Sequence, residues 1–388
     1  MSDVTDVPVE LLSNIRLRIT DHNIQKKSIK SICAVAFESN EIRTTLGNAG
    51  GIEFILRVLN LRDMDVNDYD MKCEIINSSF LALCYLCLVH ENIIRFNKND
   101  GIAVILKIMQ EYQNEYLIQN SAICLIDTIC ADPQNIIAIG IREGINYISR
   151  ALYTYGTDVD FTKDALIALQ QFSNNVHIPK RDAAVLKICM ICGDVVDVIL
   201  NVMKLHVGCR DVQIKSLETL FQLSVYDDDL ENSLGNYWEE HQLKAITFVQ
   251  ITKLKCYESD VSLYISRLPI EVVDLISTEV MQVKTRRRFE QNKIHIEYVS
   301  VITDVLRTFN TDMKIASIIC SILINTYKKN NENIPLILGP ETILRLQNAL
   351  KVMARRASRL NMPRLMTQAE IAIKHLLRNT QGRLQVLY

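Results

Sequence analysis

The sequence has few of the residues that interrupt regular structure, with only 12 glycines and 7 prolines among 388 residues. Such scarcity argues against a turn-rich all-β fold, and against a dinucleotide-binding α/β fold whose phosphate turns need glycine. Long apolar runs are also missing. The longest, Ser317 to Ile324, is far shorter than the roughly 20 residues of a membrane-spanning helix. The apolar fraction of 48% and the charged fraction of 23% are those of a folded protein.

The motifs of catalysis are absent too. The sequence contains no GxxxxGK[ST], GxGxxG, HExxH or GxSxG motif and no kinase signature. No two of the seven histidines lie at helical spacing, and the run Asp227–Asp229 lacks the spacing of a calcium-binding loop. We therefore expect no enzyme activity, no cofactor, no metal site and no small-molecule substrate.

The eleven cysteines are scattered through apolar stretches, which does not fit the framework of a secreted, disulfide-bonded domain. Two pairs have CxxC spacing, Cys84/Cys87 and Cys189/Cys192, and both lie in helix-like sequence. We interpret them as buried small apolar residues. A zinc site and a thioredoxin-like redox pair are the weaker alternatives.

Charge is distributed unevenly along the chain although the net charge is only −2. Residues 281–388 contain 18 Lys and Arg against 7 Asp and Glu. The densest run is Lys284–Arg288, in which Arg286, Arg287 and Arg288 could form a nuclear-localisation signal or bind an acidic partner, whereas a solvated linker is the plainer interpretation. A second basic patch, at Arg355, Arg356, Arg359 and Arg364, fits the polar cap of a terminal repeat.

Comparison of the sequence with itself shows an internal repeat. Three similar segments carry a Gly-Ile pair, at Gly51, Gly101 and Gly144, and are therefore 50 and 43 residues apart. Weaker copies place a glycine at Gly193 and Gly339. Two further copies, around Leu243 and His295, lack the glycine.

Each repeat has the same predicted order of helices. A short helix ends at the glycine, an amphipathic helix of about 12 residues follows, and a longer third helix is apolar on more than one face. Such a helix must be buried between neighbours, so the repeats are expected to stack. The predicted core residues are Ile52, Ile102, Ile123, Leu125, Ile126, Ile145, Leu169, Leu220 and Leu223.

This three-helix period, with its glycine before the second helix, resembles the armadillo repeat. The resemblance implies an all-α fold, an armadillo-like right-handed α-solenoid of about eight repeats that forms a single domain over residues 1–388. A HEAT-type array is the alternative fold. The predicted repeats are 1–47, 48–98, 99–140, 141–190, 191–236, 237–293 (irregular), 294–338 and 339–388.

In armadillo proteins the third helices line a concave groove. Nuclear import adaptors of this family carry a ladder of tryptophan and asparagine there. The corresponding tryptophan positions of this sequence are Lys30, Leu81, Cys124, Ile167, Glu218 and Ile371. Its single tryptophan, Trp238, lies outside the series. A nuclear import adaptor is therefore the weaker interpretation.

The asparagine positions of the same consensus fall on Ala34 and His375 at the two ends. Between them they fall on Tyr85, Thr128, Gln171 and Gln222, with Asn325 in an ambiguous register. Hydroxyl and amide groups at a regular spacing could hydrogen-bond the backbone of an extended peptide. We predict these residues as the partner-binding site, solvated in the free protein. The alternative is an unused polar face.

The sequence thus predicts a non-catalytic scaffold or adaptor that binds a partner protein along the groove. Alternatives are a regulator of a GTPase or of an Hsp70-type chaperone, and a nuclear import adaptor. Nucleic-acid binding through the basic carboxy-terminal region is weaker still. The amino terminus has no signal-peptide core, so we predict a cytoplasmic protein, with the nucleus and the cytoskeleton or cilium as alternatives. The oligomeric state is not predicted.

Overall fold

The computed structural model describes residues 22–60, 69–173, 195–224, 300–309, 311–329 and 340–384, with short pieces between 177 and 190. Regular structure within these residues is helical, and no strand occurs among them. The predicted all-α class is confirmed for these residues. In the same residues no helix combines the length and the apolar character needed to cross a membrane.

The first half of the chain forms repeats of two short helices and a longer third helix. The opening third helix, α1, spans His22–Ala36. The next three complete repeats are α2 (Asn40–Asn48), α3 (Gly51–Asn60) and α4 (Tyr69–Leu86); α5 (His90–Lys98), α6 (Gly101–Glu111) and α7 (Tyr116–Ile129); and α8 (Pro133–Ile141), α9 (Gly144–Tyr155) and α10 (Val159–Ser173).

The second half continues with pairs of helices. These are α11 (Val195–Leu205) with α12 (Arg210–Ser224), a helical stretch over 300–308 with α13 (Met313–Lys329), and α14 (Pro340–Arg359) with α15 (Pro363–Leu384). In each pair the later helix occupies the position of a third helix. The irregular repeat predicted over 237–293 lies outside the described residues, as does Trp238.

The repeated glycine has a different role from the one expected. The left-handed residue between the first and second helices is the one before the glycine, as Asp100 (φ 54°) and Glu143 (φ 71°) show. The glycine itself opens the second helix and permits close packing. A Cβ on Gly101 would lie 2.4 Å from the Phe96 ring, and one on Gly144 would lie 2.3 Å from Ile139 Cγ2. Glycine is needed there for lack of space.

Buried amides hold the turns of the repeats. Asn92 Nδ2 donates to Leu86 O (2.8 Å) and to Arg43 O of the preceding repeat (2.9 Å). Asn135 makes the equivalent bond to Ile129 O (2.9 Å). The bonds to Leu86 O and Ile129 O satisfy carbonyl groups at the ends of α4 and α7, which have no intrahelical partner. The bond to Arg43 O joins one repeat to the next.

A second amide acts at the turn before the third helix. Gln119 Nε2 donates to Met109 O (2.9 Å) and Tyr112 O (3.0 Å). Gln213, 94 residues later, donates to the carbonyls at the same sequence offsets, those of Met203 and His206. The repeats therefore share specific polar contacts as well as a hydrophobic pattern.

The core predicted from the helical period is confirmed at eight of its nine positions. These residues are at most 7% exposed: Ile52, Ile102, Ile123, Leu125, Ile126, Ile145, Leu169 and Leu220. Leu223 differs, since it is half-buried near the end of α12.

Successive third helices pack against one another where the described contacts show it. Helix α1 contacts α4, and α4 contacts α7. Farther along, α12 contacts α13 and α13 contacts α15. Helices α12 and α13 are direct neighbours although 88 residues separate their facing ends in the sequence.

The chain divides into two compact units. The amino-terminal unit comprises Met1–Tyr155 and Ile167–Gln171. The carboxy-terminal unit comprises Gly156–Leu166 and Phe172–Tyr388. Helix α10 contributes residues to both, so Gln171 belongs to the first unit and Gln222 to the second.

Candidate functional site

The candidate site of the amino-terminal unit is the outward face of its third helices. We call it the third-helix surface and define it by Phe37, Leu81, Tyr85, Thr128 and Gln171. The first two are exposed and the other three are half-buried. Phe37 directly follows α1, and the others lie on α4, α7 and α10.

One end of the third-helix surface is apolar. The ring of Phe37 is 67% exposed and meets the ring of Tyr85 edge to face, with centroids 5.6 Å apart. Leu81 precedes Tyr85 by one helical turn and is 38% exposed, so it lies on the same face of α4. An exposed aromatic pair beside a leucine can contact an apolar side chain of a partner.

Next to this apolar end lies a neutral junction between α4 and α7. The thiol of Cys84 approaches Ser121 O at 3.9 Å, and Thr128 Oγ1 donates to Cys124 O at 2.9 Å. Burial, together with the neighbouring thiols of Cys124 and Cys87, raises the pKa of Cys84 well above its ordinary value. The thiol is therefore protonated and a poor nucleophile at neutral pH.

The other end of the third-helix surface is polar. Gln171 Nε2 donates to Asp127 Oδ1 at 2.7 Å, which links α10 to α7 within the amino-terminal unit. The predicted solvated glutamine thus already bonds to a neighbouring helix. One N–H of its amide is used by Asp127, so the second N–H and the amide oxygen remain for the backbone of a partner.

The other predicted site residues lie in the carboxy-terminal unit or outside the described residues. Gln222 is half-buried on α12 in the carboxy-terminal unit. The backbone of Asn325 lies in α13, but its side chain is outside the described residues. Arg286, Arg287 and Arg288 are outside them altogether. The structure therefore places Tyr85, Thr128 and Gln171 in the amino-terminal unit and Gln222 in the carboxy-terminal unit.

Two of the positions that carry tryptophan in nuclear import adaptors carry ion-paired residues here. Lys30 and Lys26 of α1 both contact the carboxylate of Glu74 on α4. Their hydrogen bonds lower the pKa of Glu74. On α12, Glu218 Oε1 lies 2.7 Å from Lys314 Nζ of α13. Charged pairs between helices occupy places where an import adaptor would present aromatic slots.

A row of tyrosines near the amino-terminal ends of the third helices was not anticipated from the sequence. Tyr69 and Tyr112 stack with centroids 6.2 Å apart, and Tyr116 meets Tyr155 edge to face at 5.4 Å. Tyr69 donates to Glu115 Oε1 at 2.9 Å, a hydrogen bond that raises the pKa of the Tyr69 phenol. The sequence held a signal for this row, since Tyr69, Tyr112 and Tyr155 are spaced by 43 residues.

The cysteines of the described residues are free thiols. Cys87 and Cys189, one from each CxxC pair, are buried, and burial raises the pKa of Cys87. Cys192 lies outside the described residues. Nowhere in the part of the chain that the structure describes do three His, Cys, Asp or Glu side chains form a group that could hold a metal ion.

Comparison with known proteins gives one family match. Residues 13–139 match a family described as "Catenin-beta-like, Arm-motif containing nuclear", which is about a third of the chain. That segment includes the first described third helix and the two complete repeats α2–α7. The match supports the armadillo repeats recognised in the sequence over residues 13–139. No functionally curated protein matches the sequence.

Two solved structures align with nearly the whole chain at low similarity. An engineered protein is 16% identical, with 96% of this chain and 88% of that chain covered and a TM-score of 0.37. A structure from work on a phosphorylation switch in the interaction between cadherin and beta-catenin is 10% identical, with coverages of 96% and 83% and a TM-score of 0.41. Both scores are below 0.5, so neither alignment supports a shared overall arrangement.

Proposed function

We propose that this armadillo-type chain is a non-catalytic scaffold that holds an extended segment of a partner protein on the third-helix surface. The observation that carries the proposal is the exposed ring of Phe37 against Tyr85, on the same series of third helices as Thr128 and Gln171. An apolar end receives a side chain of the partner, and a polar end receives its backbone.

The spacing of the surface suits an extended chain. Packed helices lie about 8–10 Å apart, so the two steps from Tyr85 on α4 to Gln171 on α10 span roughly 20 Å. An extended peptide advances about 3.3 Å per residue, so roughly six residues bridge this distance. Gln171 Oε1 would then accept an N–H of the segment about six positions from its apolar anchor. The equivalent Gln222 could act in the same way within the carboxy-terminal unit.

The test is selection from a displayed library of random peptides of about twelve residues on the full-length protein. We expect enriched peptides that share a large apolar residue. Tyr85→Ala should weaken a selected peptide by about tenfold or more, because it removes the anchor contact. Gln171→Ala removes one neutral hydrogen bond, worth about 0.5–1.5 kcal/mol, and should weaken binding by about two- to tenfold.

The matched control is Tyr153→Ala, which removes a tyrosine that is 68% exposed on the second helix α9. It should leave binding unchanged. Enrichment of no peptide, or of peptides that respond to Tyr153→Ala and not to Tyr85→Ala, would overturn the proposal.

The alternatives predict other results. A regulator of a GTPase or of an Hsp70-type chaperone would be retained by its client in one nucleotide state and would ignore Tyr85→Ala. An import adaptor would need its slots where Lys30 and Glu218 form ion pairs. The same selection therefore separates a peptide-binding scaffold from both.

We also propose a nuclear location, on the basis of the word "nuclear" in the name of the matched family. The sequence alone favoured the cytoplasm, with the nucleus and the cytoskeleton or cilium as alternatives. Microscopy of the full-length protein carrying a fluorescent tag tests it. A signal confined to the cytoplasm would refute the nuclear proposal without affecting the proposed scaffold.

A further inference from the structure

Helix α14 presents a second surface of different chemistry, far along the sequence from the third-helix surface. We propose that this surface binds an acidic amphipathic helix of a partner protein. It is formed by Leu344, Lys351, Val352, Arg355, Arg359 and Leu360, and we call it the end surface.

The two faces of α14 are cleanly separated. One face packs into the protein through Leu346, Leu350, Met353 and Ala357, each at most 1% exposed. The end surface lies opposite, because Lys351, Val352, Arg355 and Arg359 recur at intervals of three and four along the helix. Leu344 lies two turns before Lys351 on the same face, and Leu360 directly follows the last residue of the helix. From Leu344 to Arg359 the face runs about 22 Å, at 1.5 Å per residue.

Apolar and cationic side chains alternate on this face. Leu344 and Leu360 are each 55% exposed and Val352 is 53% exposed, while Lys351, Arg355 and Arg359 are exposed between them. Among the described residues, none of the ion pairs involves these three cations. They are therefore available to carboxylates of a partner.

Capping of the last repeat does not account for this composition. A cap turns polar groups to water, whereas this face exposes two leucines and a valine. The helix end is already satisfied by its own backbone, since Asn361 is left-handed (φ 54°) and Met362 N donates to Ala357 O at 2.9 Å. The three cations, spread over the last three turns of α14, are not needed to close it.

The chemistry selects the class of partner. The segment 340–374 contains no aromatic residue, so the end surface has no ring on which an unpaired base could stack. Exposed leucine and valine instead match apolar side chains of a protein. Two copies of this chain would bring like charges face to face, which disfavours a symmetric dimer through this surface. A straight helical face pairs with another helix through ridges and grooves.

The experiment measures binding of a fluorescent synthetic peptide to the full-length protein. The probe is an 18-residue helix former with leucine at helical spacing and glutamate beside it. We expect saturable binding that weakens as salt is raised. Two companion peptides, with glutamate replaced by glutamine or leucine replaced by serine, should each bind at least about tenfold more weakly, since both halves of the surface contribute.

Three variants of the protein locate the site. Arg355→Glu with Arg359→Glu should weaken the acidic peptide at least about tenfold. A matched double reversal on exposed cations elsewhere, Lys98→Glu with Arg142→Glu, should change it less than about twofold. Val352→Ser tests the contribution of the apolar side chains of the end surface without changing its charge. Circular dichroism should show the same helicity in all variants, because every altered side chain is exposed.

Four outcomes would overturn the inference. These are no binding of the acidic peptide, equal loss in both double reversals, a single-stranded RNA that binds more tightly and loses affinity in the Arg355/Arg359 variant, and a dimer in sedimentation that the same variant disrupts. None of these bears on Tyr85 or on peptides selected on the third-helix surface, so the two proposals fail separately.

Discussion

The junction between α4 and α7 and the junction between α12 and α13 join the same kind of helix by different chemistry. Between α4 and α7 the thiol of Cys84 approaches Ser121 O, and no ion pair among the described residues joins these two helices. Between α12 and α13 the contacts are ionic. Arg210 contacts Asp312, and Glu218 pairs with Lys314.

The difference follows the path of the chain. Two short helices and tight turns connect α4 to α7, and their buried amides fix where α7 can lie. The connection from α12 to α13 is 88 residues long, so a short tether cannot set their register. Ion pairs are directional and favour one register over its neighbours. We infer that charge contributes to the register at the second junction, as it does between α1 and α4, where Lys26 and Lys30 contact Glu74.

The largest expected effect on stability comes from the buried core of α7, at its junction with α4. Leu125→Ala removes a fully buried side chain of α7 and should destabilise the amino-terminal unit by about 2–5 kcal/mol. Leu117→Ala on the same helix, where the side chain is 61% exposed, should change stability by less than about 0.5 kcal/mol. Urea unfolding followed by circular dichroism measures both. Equal effects would mean that the faces of α7 are misassigned.

A smaller effect is expected at the turn that positions α6. Gly101→Ala places a Cβ against the Phe96 ring and should cost about 1–3 kcal/mol through overpacking. Gly208→Ala is the control, since a Cβ there meets nothing within 4 Å. Urea unfolding again compares the two. A neutral Gly101→Ala would show that the spacing of these helices does not depend on the glycine.

Charge reversal at the junction between α12 and α13 should change stability by less. Glu218→Lys places a lysine opposite Lys314 and should cost up to about 1 kcal/mol, because both side chains are partly exposed. The swap Glu218→Lys with Lys314→Glu should recover most of that loss. High salt should reduce the difference in stability between Glu218→Lys and the native protein. Thermal unfolding of the native protein, of Glu218→Lys and of the double swap measures the coupling between Glu218 and Lys314. Additive losses of stability in the double swap would contradict a role for this ion pair in the register of α12 and α13.

The smallest effect is a dependence on pH at the same junction. Burial of Asp312 raises its pKa, but hydrogen bonds from Arg210 and from the Ile315 and Lys314 amides outweigh it and hold the pKa below the ordinary value. The carboxylate therefore stabilises the fold above the unfolded pKa of about 3.9, and this contribution is lost as pH falls through the folded pKa.

Comparing Asp312→Asn with the native protein tests whether the contribution of this carboxylate to stability is lost as pH falls. The variant should lose stability at pH 6 and should lose less than the native protein on acidification toward pH 3. Asp304→Asn, an exposed position in the helix over 300–308, should leave the pH profile of the melting temperature unchanged. A profile of Asp312→Asn parallel to that of the native protein would contradict the role of this carboxylate.

Much of the helical core was predictable because the helical period is a local property of sequence. Ile52, Leu125 and Leu169 recur at positions that any packed helix would bury, and they are buried. The candidate site was less predictable. The register of the consensus placed Tyr85, Thr128 and Gln171 on one kind of helix, but it could not show that Gln171 bonds to Asp127, since that contact joins residues 44 apart.

The sequence by itself determined the helical repeats, their glycines and the apolar positions, because propensity and periodicity act within a few turns of one helix. Only the tertiary structure decided why Gly101 must be glycine, which helices meet through charge, and which side of α14 stays in water. Those properties depend on distances between segments that are far apart in the chain, and no pattern within one repeat contains them. The direct contact of α12 with α13 is such a property, since packing rather than chain order makes them neighbours.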